Sequence, residues 1–368
     1  MSKNDHSKAR ASLPLTEAIL RETEIRPERH HVKRPVSSRT ARFDVGAASE
    51  SEPPVVMTRL VRGHGCDRDA AWQVEVSVEG GQLRPSWPAA LKVVQVHRSI
   101  LARDAITSLA ASMPLVEGRI AVRPQLRRLP EPYMIRFGDL RYKPTTIFNP
   151  DGRRAYYDES YPWRCLVRIT TPRGWSGSGV LIGPRHVLTA SHCVDWTPGW
   201  LRVDVMYSNA NSLASAGGIL AYAESKVGPG TIPDDESDED YAVIVLDQPL
   251  GEQYGWLGSR TYDSGWDDET SAWHSIGYPQ DWSGNGEIAA WQTNFFLNEL
   301  GADYGSARLI RSETFDNWPG QSGSPVFGFW GDGPYVVGVV SGEGSDYNYI
   351  SGGSLLPSLV NRARNEHP

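Results

Sequence analysis

The sequence predicts an all-β fold, on three observations. Glycine and proline are abundant, at 36 and 26 of 368 residues, as suits a chain that turns often. Helical periodicity is sparse, and apolar residues fall into the short or alternating runs of strands. After residue 143, about a dozen such runs are separated by turn signals, the pattern of two packed β-barrels or a sandwich. Thirteen tryptophans supply bulk for a core.

Residues 1–53 are polar, with Arg, Ser and Pro scattered through them. They predict a mostly disordered segment with a short helix around "TEAILRET". Residues 54–143 predict a small folded region. "AWQVEVSVE" alternates as a strand does, and "GRIAVRP" is a second strand candidate. "HRSILARDAITSLAASM" puts Ile100, Leu101, Ile106 and Leu109 roughly on one helical face. A Pro-punctuated connector, "LRRLPEPYMIRFGDLRYKP", leads to a boundary near Lys143. From there the strand candidates are "RCLVRIT", "GSGVLIG", "HVLTAS", "LRVDVMY", "YAVIVL", "AWHSIGY", "EIAAWQTN", "RLIRSET", "SPVFGFW", "YVVGVVSG" and "SGGSLL". The tail "LLPSLVNRARNEH" reads as a closing helix. No repeat of fixed period is present.

Charge follows the same division. Residues 1–143 carry 24 Lys and Arg against 16 Asp and Glu, a net of +8. Residues 144–368 carry 13 against 28, a net of −15. Halves of opposite sign attract each other. The basic residues are dispersed and carry no zinc-finger or aromatic-basic motif, which argues against a nucleic-acid partner. No apolar run approaches the ~20 residues of a membrane span, and the N-terminus lacks the apolar stretch of a signal peptide. Neither a metal-binding helix motif, a phosphate loop nor a Cys/His cluster appears, so no cofactor and no metal are expected. Of three cysteines, Cys66 lies in the basic half. Cys165 and Cys193 flank one two-strand segment and either form a disulfide or stay free thiols.

Three turns carry chemistry. In "LTASHC" a strand ends and His192 follows at the turn. In "DDESDEDYAVIVLDQPLG" an acidic run, read as a solvated loop, stops at an apolar strand. Its last member, Asp240, is carried toward the interior, where a carboxylate needs a hydrogen-bonding partner such as an imidazole N–H. In "DNWPGQSGSPVFG" glycines flank Ser322 at a tight turn. The amides of Gly320 and Ser322 can there point into one space and form an oxyanion hole. A serine hydroxyl needs a base to take its proton, and that base needs an orienting carboxylate. His192, Asp240 and Ser322 supply the three roles in chain order. Ser176 and Ser178 read as ordinary strand or turn residues, and His186 as a turn residue.

"LTASHC", "DYAVIVL" and "PGQSGSPV" resemble the three signatures of trypsin/chymotrypsin-like serine peptidases. The lead-in "TIFNPDGRRAYYDESYPWRCLVRI", with "DYAVIVLDQPLG" and "SIGYP", is most similar to the bacterial glutamyl endopeptidase branch. The resemblance covers roughly residues 145–360. It implies two six-stranded antiparallel β-barrels of the chymotrypsin type with a C-terminal helix, here residues 144–368, preceded by a partly disordered pro-region. It implies a serine endopeptidase acting on proteins or peptides, secreted and made as a zymogen. A monomer is expected. A catalytically silent double-barrel binding module is the alternative, which loss of a triad member would favour; none is lost.

The sequence departs from the glutamyl branch where an acidic side chain would be recognised. Val340 and Ser341 stand where that branch carries a histidine, and Glu343 and Asp346 would repel an acidic substrate. Asp316, six residues before Ser322, takes the place of the trypsin specificity carboxylate, with Ser341 and Gly342 completing the expected S1 pocket. A carboxylate there either binds Arg or Lys through charge-assisted hydrogen bonds or, as the resemblance to glutamyl endopeptidases with Asp at that offset implies, confers no basic preference. In the first case Arg141 or Lys143 is an expected self-cleavage site. The basic N-terminal region is expected to dock on the acidic peptidase and inhibit it or assist its folding.

Overall fold

The computed structural model describes residues 12–32, 43–45, 55–61, 73–79, 83–85, 91–128, 147–148, 150–197, 199–228, 232, 234–282, 286–299, 307–344 and 346–368. Cys66, Arg141 and Lys143 lie outside them. The chain divides into two compact units, residues 37–87 and the remainder. In the smaller unit Phe43–Val45 pairs antiparallel with Leu83–Pro85, and Val55–Val61 with Gln73–Glu79.

In the larger unit six strands close a barrel: β1 (Leu166–Thr170), β2 (Ser176–Gly183), β3 (His186–Thr189), β4 (Arg202–Val205), β5 (Ala214–Ala223) and β6 (Ala242–Leu246). The ladder runs β4-β1-β2-β3-β6-β5 and β5 returns to β4. Every residue of β3 and β6 is buried, because these strands face the barrel interior on one side and the C-terminal helix Leu355–Glu366 on the other. That helix buries Leu355, Leu356, Leu359, Val360 and Ala363. A continuous apolar run such as Ala242–Leu246 is what double-sided burial selects.

The second sheet holds β7 (His274–Gly277), β8 (Ala290–Thr293), β9 (Asn298–Glu299), β10 (Ala307–Ser312), β11 (Pro325–Trp330), β12 (Gly333–Glu343) and β13 (Asn348–Gly353). Its path is β9-β10-β13-β12-β11-β7-β8, extended by Arg154–Ala155 beyond β8 and by Gly258–Arg260 and Ser108–Leu109 beside β12, ten strands in all. Its core is aromatic, with Tyr262, Trp266, Trp273, Phe295, Phe315, Trp330 and Tyr335 buried together. The first barrel is closed by hydrogen bonds, and the second sheet is mostly antiparallel, with Gly258–Arg260 joining β12 in parallel.

The short helix expected around "TEAILRET" forms at Glu17–Glu22, and a strand at Glu28–His30 pairs parallel with Ser112–Pro114. Leu15 N–H donates to Phe329 O (2.7 Å), Arg26 N–H to Gly331 O (2.9 Å) and Trp330 Nε1 to Ser12 O (2.9 Å). Leu20 and Ile25 bury their side chains, so a locally polar segment gains order from tertiary contact. Residues 91–128 also belong to the larger unit. Lys92–Gln95 adds to β5 in parallel. The helix expected from Ile100 to Leu109 stops at Arg103, and the chain re-forms as Ser108–Leu109 and Ser112–Pro114; "GRIAVRP" is not a strand. The units therefore part at residues 36/37 and 87/88. One barrel strand, Ala214–Ala223, was not anticipated, because Ala, Ser and Gly dominate it and give no alternation.

Candidate functional site

His192 sits in a single 3₁₀ turn, Ser191–Cys193, directly after β3. The turn is pinned from beneath: Ser191 Oγ donates to Ser225 O (2.6 Å) and accepts from Val227 N–H (3.1 Å). Asp240 immediately precedes the β6 segment and is fully buried. Its Oδ1 accepts from the His192 backbone N–H (2.9 Å) and its Oδ2 lies 2.6 Å from His192 Nδ1. A buried carboxylate only accepts, so Nδ1 carries the proton and Nε2 keeps its lone pair. Oδ2 also accepts from Ser341 Oγ at 2.7 Å. Burial alone would lower the imidazole pKa, but the neighbouring Cys193 sulfur and the Asp240 carboxylate prevail and hold it well above 6.5.

Ser322 occupies the turn before β11. Gly320 (φ +97°) and Gly323 (φ +80°) flank it in left-handed backbone, where a side chain is strained and has no room. A Cβ on Gly320 would lie 2.4 Å from Tyr278 O, and one on Gly323 2.2 Å from Ser178 O and 2.9 Å from Ala190 N. The turn is thus packed against the segment that leads to His192. Ser322 O accepts from Ser178 N–H (2.8 Å), and Ser341, which binds Asp240, follows Val340, whose backbone holds Gly323 and Ser324. These contacts bring the Ser322 turn and the His192–Asp240 pair near each other.

The amides of this turn divide cleanly. Gln321 N–H donates to Trp318 O (3.0 Å), Gly323 N–H to Val340 O (2.8 Å) and Ser324 N–H to Gln321 O (2.8 Å). Among the described residues, the Gly320 and Ser322 N–H groups have no protein acceptor. They are the two that the sequence singles out, and a developing oxyanion is a fitting acceptor for both.

Other expected residues lie elsewhere. Asp316 is only 1% exposed. Its carboxylate accepts from Phe148 N–H (2.7 Å), Gly152 N–H (2.7 Å) and Gln292 Nε2 (3.1 Å), which turns it to the lead-in segment and not to an open specificity pocket. Burial pushes its pKa up against the amides' pull. Ser341 Oγ donates to Asp240, beside a register shift between Val340 and Gly342, where a bulge re-aims a side chain. Gly342 alone borders open space, with nothing within 4 Å of a Cβ placed there. Cys165 and Cys193 are free thiols. Cys165 points to Tyr254 O and Gly255 O, and burial pushes it up to about 12. Cys193 instead faces Gly177. The acidic run is not wholly solvated: Asp238 is fully buried, and Arg98 bridges Glu224 and Glu239. His186 is a buried strand residue, its Nε2 3.1 Å from Ala363 O.

Sequence reasoning passed over Ser178 and Arg153. Ser178 Oγ donates to Gly320 O (2.8 Å) and accepts from Tyr278 N–H (2.9 Å). Arg153, 1% exposed at its side chain, donates to Asp151, Asp281 and Gln321.

Residues 150–352 match the family model described as Trypsin. The chain is 26% identical to "Extracellular metalloprotease" of Bacillus subtilis over 56% of this chain and 65% of that one. It is 29% identical to "Glutamyl endopeptidase" of Bacillus licheniformis over 50% of this chain and 54% of that one. The chain thus spans about half to two thirds of these curated relatives. Among solved structures, a Glu endopeptidase in complex with MPD is 23% identical with a TM-score of 0.49, covering 60% of this chain and 99% of its own. The protease Anisep from Arthrobacter nicotinovorans is 20% identical with a TM-score of 0.44, covering 58% and 99%. Among the described residues no three His, Cys, Asp or Glu side chains are grouped to hold an ion. No helix there is long and apolar enough to cross a membrane.

Proposed function

The chain belongs to the trypsin family, and we propose that it is a serine endopeptidase that cuts protein or peptide substrates through an acyl-enzyme. Ser322 Oγ attacks the scissile carbonyl while His192 Nε2 takes its proton. Asp240, bound to both the backbone and Nδ1 of His192, fixes the tautomer and stabilises the imidazolium. The oxyanion is received by the Gly320 and Ser322 amides. His192 then returns the proton to the leaving amine, and water repeats the sequence to release the acid. The observation that carries this reading is the doubly hydrogen-bonded His192–Asp240 pair, together with the Ser322 turn, where the Gly320 and Ser322 amides have no protein acceptor among the described residues.

The engaged carboxylate of Asp316 argues against a preference for Arg or Lys, and the lack of a histidine at Val340 or Ser341 against one for Glu. We infer that residues 12–32 and 91–128 stay with the peptidase after any cut near Arg141 or Lys143, since they extend its barrel and cover its second sheet. That disfavours a wholly removable pro-region. Export is proposed from the word "Extracellular" in one relative's name.

The test pairs wild type with Ser322→Ala on a diverse peptide mixture, with cleaved bonds read by mass spectrometry. Cleavage by wild type alone is expected. Equal null results would favour the silent binding module.

A further inference from the structure

The two unspent amides need fixed directions, and the chain fixes them through the preceding carbonyls. In a trans peptide plane, C=O and the following N–H point oppositely. Pro319 O accepts from Gln280 N–H (2.9 Å), which aims the Gly320 N–H the other way. Gln321 O accepts from Ser324 N–H (2.8 Å), which does the same for the Ser322 N–H. One donor is therefore oriented by the loop at Gln280 and the other by Gln321.

A single buried side chain ties these two anchors together. Arg153 Nη1 donates to Gln321 Oε1 (3.0 Å) and to Asp281 Oδ1 (3.2 Å). Nη2 donates to Asp281 Oδ2 (2.6 Å) and Asp151 Oδ2 (2.8 Å), and Nε to Asp151 Oδ1 (3.1 Å). All five N–H groups of the guanidinium are spent, and its carbon lies 5.0 Å from the Trp282 ring centre. Only a planar fork makes this set of bonds. Gln321 is 2% exposed, so its side-chain oxygen has no water to replace the arginine. Beside Arg153, Gly152 and Phe148 hold Asp316 by their amides, so the lead-in segment grips the nucleophile loop at two places.

We propose that Arg153, acting through Gln321 and Asp281, is a positioning residue that sets the oxyanion donors, and that it does so in the uncut chain. The proposal rests on the serine-peptidase reading above. It deepens that reading by assigning the regulation of the site. The brace is made of internal side chains and requires no newly freed chain end, so the intact protein carries a formed nucleophile loop.

The experiment uses full-length protein, its intactness verified by mass, with p-nitrophenyl acetate as the probe. Arg153→Met and Gln321→Leu are expected to slow acylation of Ser322 about 10²-fold, the scale of losing one oxyanion donor, with KM within about twofold. Arg153→Lys is expected to recover part of the rate, since its ammonium offers three donors in place of five. Uncut wild type is expected to acylate. Acylation of both variants at the wild-type rate, or of wild type only after cutting, would overturn the proposal. A second arm measures amide hydrogen exchange of residues 318–324 in the Ser322→Ala background, where no catalysis occurs. Faster exchange on adding Arg153→Met supports the brace, and unchanged exchange overturns it. Wild type that never acylates, with brace-dependent exchange intact, would sink the peptidase reading alone.

Discussion

The two halves of the candidate site are held by different means. On the barrel side one buried carboxylate does the work: Asp240 receives the His192 backbone, the His192 ring and Ser341. On the sheet side the main chain does it: carbonyls of Pro319, Gly320, Gln321 and Ser322 all accept specific donors. The barrel half therefore depends on charge and should respond to pH. The sheet half depends on backbone shape and should respond to side chains that anchor the turn.

Removing the atoms that react breaks both halves equally. Ser322→Ala or His192→Ala is expected to lower turnover by about 10⁶-fold, checked by peptide hydrolysis. Within the barrel half, Asp240→Asn keeps the shape but donates where it should accept, and is expected to cost about 10⁴-fold in turnover with KM little changed. Ser341→Ala removes one hydrogen bond to the same charged oxygen. About tenfold to a hundredfold is expected, as such bonds contribute roughly 1.5–3 kcal/mol.

The pH response sharpens the contrast. In the proposed mechanism His192 must be neutral to act as base, and its pKa is held above 6.5. Activity should therefore rise with pH through a limb lying above 6.5. Cys193 contributes to that upward shift, so Cys193→Ala is expected to move the limb toward lower pH. An unmoved limb would leave Asp240 as the source of the shift. The sheet half has no titrating group of this kind, so Gln321→Leu should lower the rate without moving the limb.

The smallest expected effects concern the scaffold beneath each half. His186 in the barrel and His274 in the second sheet are both pushed down to about 3, first by burial, with Arg364 and Arg123 respectively adding to it. His274 is stacked between Trp291 and Phe327. Below pH 6.5 the unfolded chain protonates these rings and the folded chain does not. Their contribution is thus intact above 6.5 and is lost as pH falls toward 3, by roughly 1 kcal/mol per unit for each. His274→Phe should flatten the acid side of a plot of Tm against pH, checked by thermal unfolding.

How far the sequence could be read follows the same division. The turns that hold His192, Asp240 and Ser322 were legible because each stands beside a strong strand. The partners of Ser341 and Asp316 were not legible, because an offset along the chain does not say where a side chain points. The strand Ala214–Ala223 was hidden by its small residues, which pack well but do not alternate. Residues 12–32 looked disordered because their order comes from the sheet they cover. The Arg153 brace joins residues 168 positions apart, and no local pattern signals such a pairing.

The most direct test of the account is site-mapped labelling by a fluorophosphonate, which reacts with a serine activated by a neighbouring base. Wild type is expected to carry one adduct, on Ser322, forming faster as pH rises above 6.5 and absent from His192→Ala and Ser322→Ala. An adduct on another residue, or none on folded wild type at any pH, would contradict the assignment of Ser322 as nucleophile and His192 as its base.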